Sequence, residues 1–203
     1  MKEKYLQDIA EIKDIMNRSS KFISLSGLSG VAAGSCALIG AYFAYQKVYS
    51  KPYVELSETF IVGINGIFDL LSIAVLTLVA AVLSGLFFTR LHAKKHNQKL
   101  WDDRSKRLLI NLAIPLITGG LVCLKFLFDG NNGYLAPLTL VFYGLALVNA
   151  SKYTLNEIRS LGIIEIALGI LALKYIGYGL WFWIVGFGIL HIIYGIYMHL
   201  KYK

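Results

Sequence analysis

The chain has 203 residues, 57% of them hydrophobic and 16% charged, with a mean hydropathy of +0.61 and a formal net charge of +8. Soluble domains run nearer ~45–50% apolar and ~25% charged, and here the excess is gathered into runs of about 20 residues, the length that a ~30 Å hydrocarbon layer requires of a helix. An ordinary soluble domain is excluded, and because the positive residues fall on alternate loops, the charge fits a membrane surface and not nucleic acid.

Residues 1–20 are expected to form a cytoplasmic amphipathic helix ahead of a membrane domain over 21–203. Tyr5, Ile9, Ile12 and Met16 repeat at four-three-four spacing. Lys2, Lys4, Lys13 and Arg18 on the other face balance Glu3, Asp8, Glu11 and Asp14. Helices that bind anionic lipid unaided are usually rich in Lys and Arg. This balanced stripe is expected to pack on protein, either on the chain's own cytoplasmic face or on a partner.

The first span is expected over 22–45. AGSC at 33–36 faintly resembles a lipoprotein cleavage site, but the apolar run continues past Cys36 and the preceding segment is long and charge-balanced, so a removable signal is not expected. Gly30 and Gly34 form a GxxxG whose simplest use is packing within the monomer. After an outer loop over 47–58, residues 59–89 are too long for one upright span, and Asp69 interrupts them. The second span is placed at 67–88, preceded by an interfacial segment, FIVGING. Residues 90–107 form a basic loop with Lys94, Lys95, Lys99 and Arg104, suited to anionic lipid or an acidic partner.

The third span, 108–128, contains Pro115, and a proline inside a spanning helix frees a carbonyl. DGNNGY at 129–134 is a turn, and the fourth span follows at 135–150. Thr154-x-x-Glu157 has the form of a capping box that starts the fifth helix, with its span at 161–176. GYG at 177–179 turns the chain into the sixth span, 180–200. The fold class is therefore an all-α polytopic membrane protein, six helices in three hairpins. With the N-terminus inside, sixteen of the twenty Lys and Arg lie on inner segments, which places both termini in the cytoplasm.

Charged side chains in hydrocarbon cost at least ~2.5–3.5 kcal/mol at mid-depth and need a reason to be there. Asp69, Lys125 and Lys174 all fall in the outer third, where an Asp69–Lys125 or Asp69–Lys174 pair would act as a staple. Glu165 lies six residues beyond Arg159, so roughly 9 Å below the inner surface by helix rise. Asn111, Asn149 and His191 share that level. A Glu facing a His and two amides is a candidate ligand or proton site; neighbouring hydroxyls holding the Glu in a purely structural role are the alternative. Tyr42, Tyr143, Tyr194 and Tyr197 are assigned to interfacial belts or helix contacts.

Gly27-Leu28-Ser29-Gly30 is a GxSG, and His191 stands in the last helix as H-x-x-x-G, a superficial likeness to rhomboid intramembrane proteases. GLSG opens the first helix here, whereas rhomboids carry that motif on the fourth, and their Trp-Arg loop and His-x-x-x-Asn segment are missing, so a protease is not expected. There is no P-loop, paired metal ligand set or dinucleotide fingerprint, and no cofactor or metal is expected. NLAIPLITGG, FYGLALVNASKYTLNEIRSLG and GFGILHIIYGIY together resemble a family of uncharacterised six-helix bacterial inner-membrane proteins. That resemblance covers most of the chain and implies bacterial origin and the same architecture, but no reaction and no site residues.

The leading expectation is a non-enzymatic subunit or regulator of the inner membrane. It would bind a partner protein, a further copy or lipid through Tyr5, Ile9, Ile12, Met16, Lys94, Lys95, Lys99 and Arg104. The alternative is a small transporter or channel for a proton-coupled or lipidic solute built on Glu165 and His191.

Overall fold

A computed structural model describes residues 26–48, 64–95 and 101–202, together with Tyr5, Asp8, Ile9 and Ile12, which are helical and exposed. Met16 and Lys99 lie outside the described residues. The architecture is all-helical, with no strand among the described residues: α1 (Gly27–Val48), α2 (Ile64–Lys95), α3 (Asp103–Phe128), α4 (Leu135–Ala150), α5 (Asn156–Lys174) and α6 (Gly179–Lys201). Five of these, with α4 extended by its flanking short helices, are long and apolar enough to cross a membrane. The exception is α5, whose 19 residues include Glu157, Arg159, Glu165 and Lys174.

Large apolar side chains point outward, as Leu76, Leu83, Ile117, Leu121 and Phe128 do, while small residues line the contacts between helices. A soluble protein distributes these the other way, because an exposed apolar surface of this extent drives association. The most extensively packed helix pair is α4 with α5, which run antiparallel through Gly144 and Gly162. A Cβ on Gly162 would stand 2.7 Å from the Gly144 carbonyl oxygen. The expected GxxxG is used within the chain, since Gly30 and Gly34 lie against Gly195, Gly188 and Ile192 of α6. Between helices in lipid, close backbone approach of this kind takes the place of the hydrophobic drive that lipid cannot supply.

Three expectations are corrected. Of the three expected hairpins, α1–α2 and α3–α4 pack as extensive neighbours, but α5 packs chiefly on α4, and α6 closes back on α1 and touches α5 only lightly. Helix α2 runs unbroken from Ile64 through Asn65 and Gly66 and past Arg90 to Lys95, about 48 Å at 1.5 Å per residue, so it is longer at both ends than the expected 67–88; the first four residues of FIVGING lie outside the described residues. The cap of α5 is Leu155, without a side-chain cap bond. Glu157 turns instead to Lys201 and Tyr202 of α6. The capping box is on α3, where the Ser105 N–H donates to Asp102 Oδ1 at 2.8 Å and the Asp102 N–H donates to Ser105 Oγ at 2.9 Å.

Candidate functional site

Two of the four residues placed at one level by sequence meet in the interior. Glu165 is fully buried, the only Asp, Glu, Lys or Arg buried among the described residues. Its Oε1 lies 3.6 Å from Nδ1 of His191, which is itself 8% exposed. Neither carboxyl oxygen of Glu165 has a hydrogen-bond partner among the described residues. The group fits because residue 186 is glycine: a Cβ there would strike Glu165 Oε2 and Leu140.

The third member is Tyr143, assigned by sequence to a belt or a helix contact. Its hydroxyl lies 2.7 Å from His191 Nε2, and its ring packs on Phe187 and His191 with centroids 4.9 and 5.3 Å away. His191 Nδ1 lies 2.9 Å from the Gly186 carbonyl oxygen. A carbonyl can only accept, so Nδ1 carries the hydrogen; in the neutral ring Nε2 then accepts from the Tyr143 hydroxyl. Backbone geometry helps to set this up. Residues Ile184–Leu190 form a π-helical segment directly before His191. Such widened turns occur mostly as single insertions in α-helices and are frequent at functional sites.

Asn111 and Asn149 do not join this cluster. Pro115 has no N–H for the carbonyl four residues back, and that carbonyl belongs to Asn111. The Asn149 side chain of α4 fills the gap, its Nδ2 donating to the Asn111 carbonyl at 2.9 Å, while Asn111 Nδ2 donates to the Arg107 carbonyl at 2.8 Å. Both amides are occupied by backbone carbonyls, and only that of Asn149 fills a gap left by Pro115.

The distal polar residues are also re-paired. Asp69 meets Lys47 of α1 at 2.9 Å, and Lys125 pairs with Asp129 at the end of its own helix. Lys174 lies over the Tyr175 ring, 5.8 Å from its centroid. The expected Asp69–Lys125 and Asp69–Lys174 staples therefore give way to partners nearer in sequence or in helix register. At the opposite end, Lys94 and Lys95 are exposed, and Arg104 lies 3.9 Å from Asp102.

Tyr143 and His191 form part of the wall of a partly open cavity of about 270 Å³, just below the ~300–1,000 Å³ typical of small-molecule sites. Leu112, Leu147 and Met198 supply much of its apolar surface, and no Asp, Glu, Lys or Arg lines it among the described residues. Ser29 lines it too, but its Oγ donates to the Ser26 carbonyl at 2.5 Å, and both ring nitrogens of His191 are engaged elsewhere. No Ser–His nucleophile pair exists here. The chain matches no protein-family model, no curated protein and no solved structure.

Proposed function

We propose that this chain is a six-span protein of a bacterial inner membrane, with both termini in the cytoplasm, that couples proton binding at Glu165 and His191 to the handling of a small lipid-soluble solute. The observation that carries this reading is the buried Glu165, with both oxygens unpartnered among the described residues and His191 3.6 Å away. A carboxyl group in that position stabilises nothing by hydrogen bonding, and an ionisable residue inside a bundle marks proton or solute pathways more often than scaffolding. The orientation rests on Lys94, Lys95, Arg107 and Lys201 at one end, a positive-inside pattern.

The test is flux in proteoliposomes with a trapped pH-sensitive dye, read after an external pH step. Glu165→Gln should keep the fold and lower protein-dependent proton entry about tenfold or more. Equal flux from a folded Glu165→Gln protein would overturn the reading.

A second reading has its own support. Tyr5, Ile9 and Ile12 are helical and exposed, about 60% each, so at these positions the stripe is not spent on the chain itself. A subunit or regulator that binds a partner protein, a further copy or lipid through this stripe and Lys94, Lys95 and Arg104 would lose its complex when residues 1–18 are deleted. Proton flux would survive that deletion if the first reading holds.

A further inference from the structure

The cavity lies against Tyr143 and His191, and its wall has a thin side. Gly85 and Thr89 of α2 and Leu108 and Leu112 of α3 line it, yet these two helices barely touch one another. We propose that the cavity binds an uncharged, lipid-soluble molecule bearing a hydroxyl or phenol group, which enters between α2 and α3 and donates its O–H to the phenolic oxygen of Tyr143. This rests on the proton-linked reading above and names its solute class.

The direction of the hydrogen bond follows from the ring. The Gly186 carbonyl holds the hydrogen on Nδ1 of His191, so the Tyr143 hydrogen is committed to Nε2. The Tyr143 oxygen then presents lone pairs only. A ligand O–H satisfies it, and a ligand carbonyl does not. A ligand O–H also polarises the Tyr143–His191 bond, since hydrogen bonds in a chain strengthen one another.

The absence of charge follows from the lining. No Asp, Glu, Lys or Arg lines the cavity among the described residues, so a carboxylate, phosphate or ammonium head would be desolvated without a partner. The lateral route follows from the outer faces of the two flanking helices. Leu83 and Phe87 of α2 and Ile110 and Ile114 of α3 are exposed, and a molecule dissolved in hydrocarbon meets these faces first.

The experiment is native mass spectrometry of the full-length protein titrated with para-octylphenol, with octanoic acid and octylamine as charged controls of the same chain length. The expected result is one saturable equivalent of the phenol and at least tenfold weaker binding of either control. Tyr143→Phe, which keeps the ring contacts with Phe187 and His191, should weaken the phenol about tenfold, the loss of one hydrogen bond in an apolar setting. Ala33→Phe, which fills the cavity from α1 without touching Tyr143 chemistry, should abolish binding. Glu157→Gln, away from the cavity, should leave it unchanged. Controls binding as tightly as the phenol, an unaltered affinity in Tyr143→Phe, or uptake that never saturates would each overturn the proposal. If proton flux still depends on Glu165 while the phenol fails to bind, the solute class is wrong and the proton-linked reading stands. If the phenol binds and flux is indifferent to Glu165, the reverse holds.

Discussion

The bond from Asn149 to the carbonyl freed by Pro115 makes a sharp energetic prediction. Asn149→Ala removes a neutral amide donor at 2.9 Å from the Asn111 carbonyl, a good geometry. Such a bond contributes about 0.5–1.5 kcal/mol net, and interhelical bonds measured within membranes average about 0.6 and reach about 1.7 kcal/mol. A loss near 1 kcal/mol is expected. Asn149→Asp should cost more, because a carboxylate would then face a carbonyl oxygen with no donor between them. The diagnostic variant is Pro115→Ala, which restores an N–H that can reach the Asn111 carbonyl within the helix. In that background Asn149→Ala should cost only a few tenths of a kcal/mol. The assay is a double-mutant cycle read by equilibrium unfolding in mixed micelles. Additive effects, with a coupling below about 0.3 kcal/mol, would refute the repair role.

Other outcomes follow from the packing and the ends of the helices. Gly162→Ala places a methyl 2.7 Å from the Gly144 oxygen and 2.9 Å from Leu147 Cβ and should destabilise by about 1–3 kcal/mol, whereas Gly120→Ala, with nothing within 4 Å of the added carbon, should be neutral or stabilising by up to about 1 kcal/mol; unfolding midpoints compare the two. Asp102→Ala should cost about 1 kcal/mol through loss of the α3 capping box, and Ser105→Ala should remove the reciprocal half of it. Burial works to raise the Glu157 carboxyl, but hydrogen bonds from Lys201, from its own backbone and from Tyr202 outweigh it and hold the group below the usual carboxylate range. A depressed carboxyl contributes stability that is present above its ordinary value near ~4.3 and lost as pH falls through the folded value. Unfolding curves between about pH 3 and pH 6 should therefore show a steeper acid limb in the parent than in Glu157→Gln.

Much of the helical layout can be read from composition alone. Six apolar segments overlap six helices, because a run of consecutive apolar residues reports on a helix that avoids water, but the helix ends differ from the expected ones by up to seven residues, as at the C-terminal end of α2. The convergence of Glu165 and His191 is also legible, through helix rise: both sit a similar number of residues from the same end. Tyr143 is not legible in this way. The chain has 13 tyrosines, and only the rotation of α4 against α6 selects the one that reaches Nε2. Asn149 shares a level with Glu165, yet depth along a helix does not fix the face on which a side chain emerges, and its face meets Pro115's freed carbonyl. Lys125 and Asp129, four residues apart at the end of one helix, form a local pair that lies nearer to hand than any partner on another helix.

The sequence by itself determined the helical class, the number and approximate ends of the helices, and the one deep carboxyl that needs an explanation. These are properties of single helices, set by hydropathy, length and charge along one dimension. The tertiary structure alone decided that α6 returns to α1 instead of pairing closely with α5. It also decided that a π-helical segment holds the Gly186 carbonyl beneath His191, and that a cavity with no charged lining among the described residues has Tyr143 in its wall. Each of these depends on the rotation and register of one helix against another. Small residues fix both through close backbone contact, and glycines are too frequent in this chain for their spacing to name the partner helix.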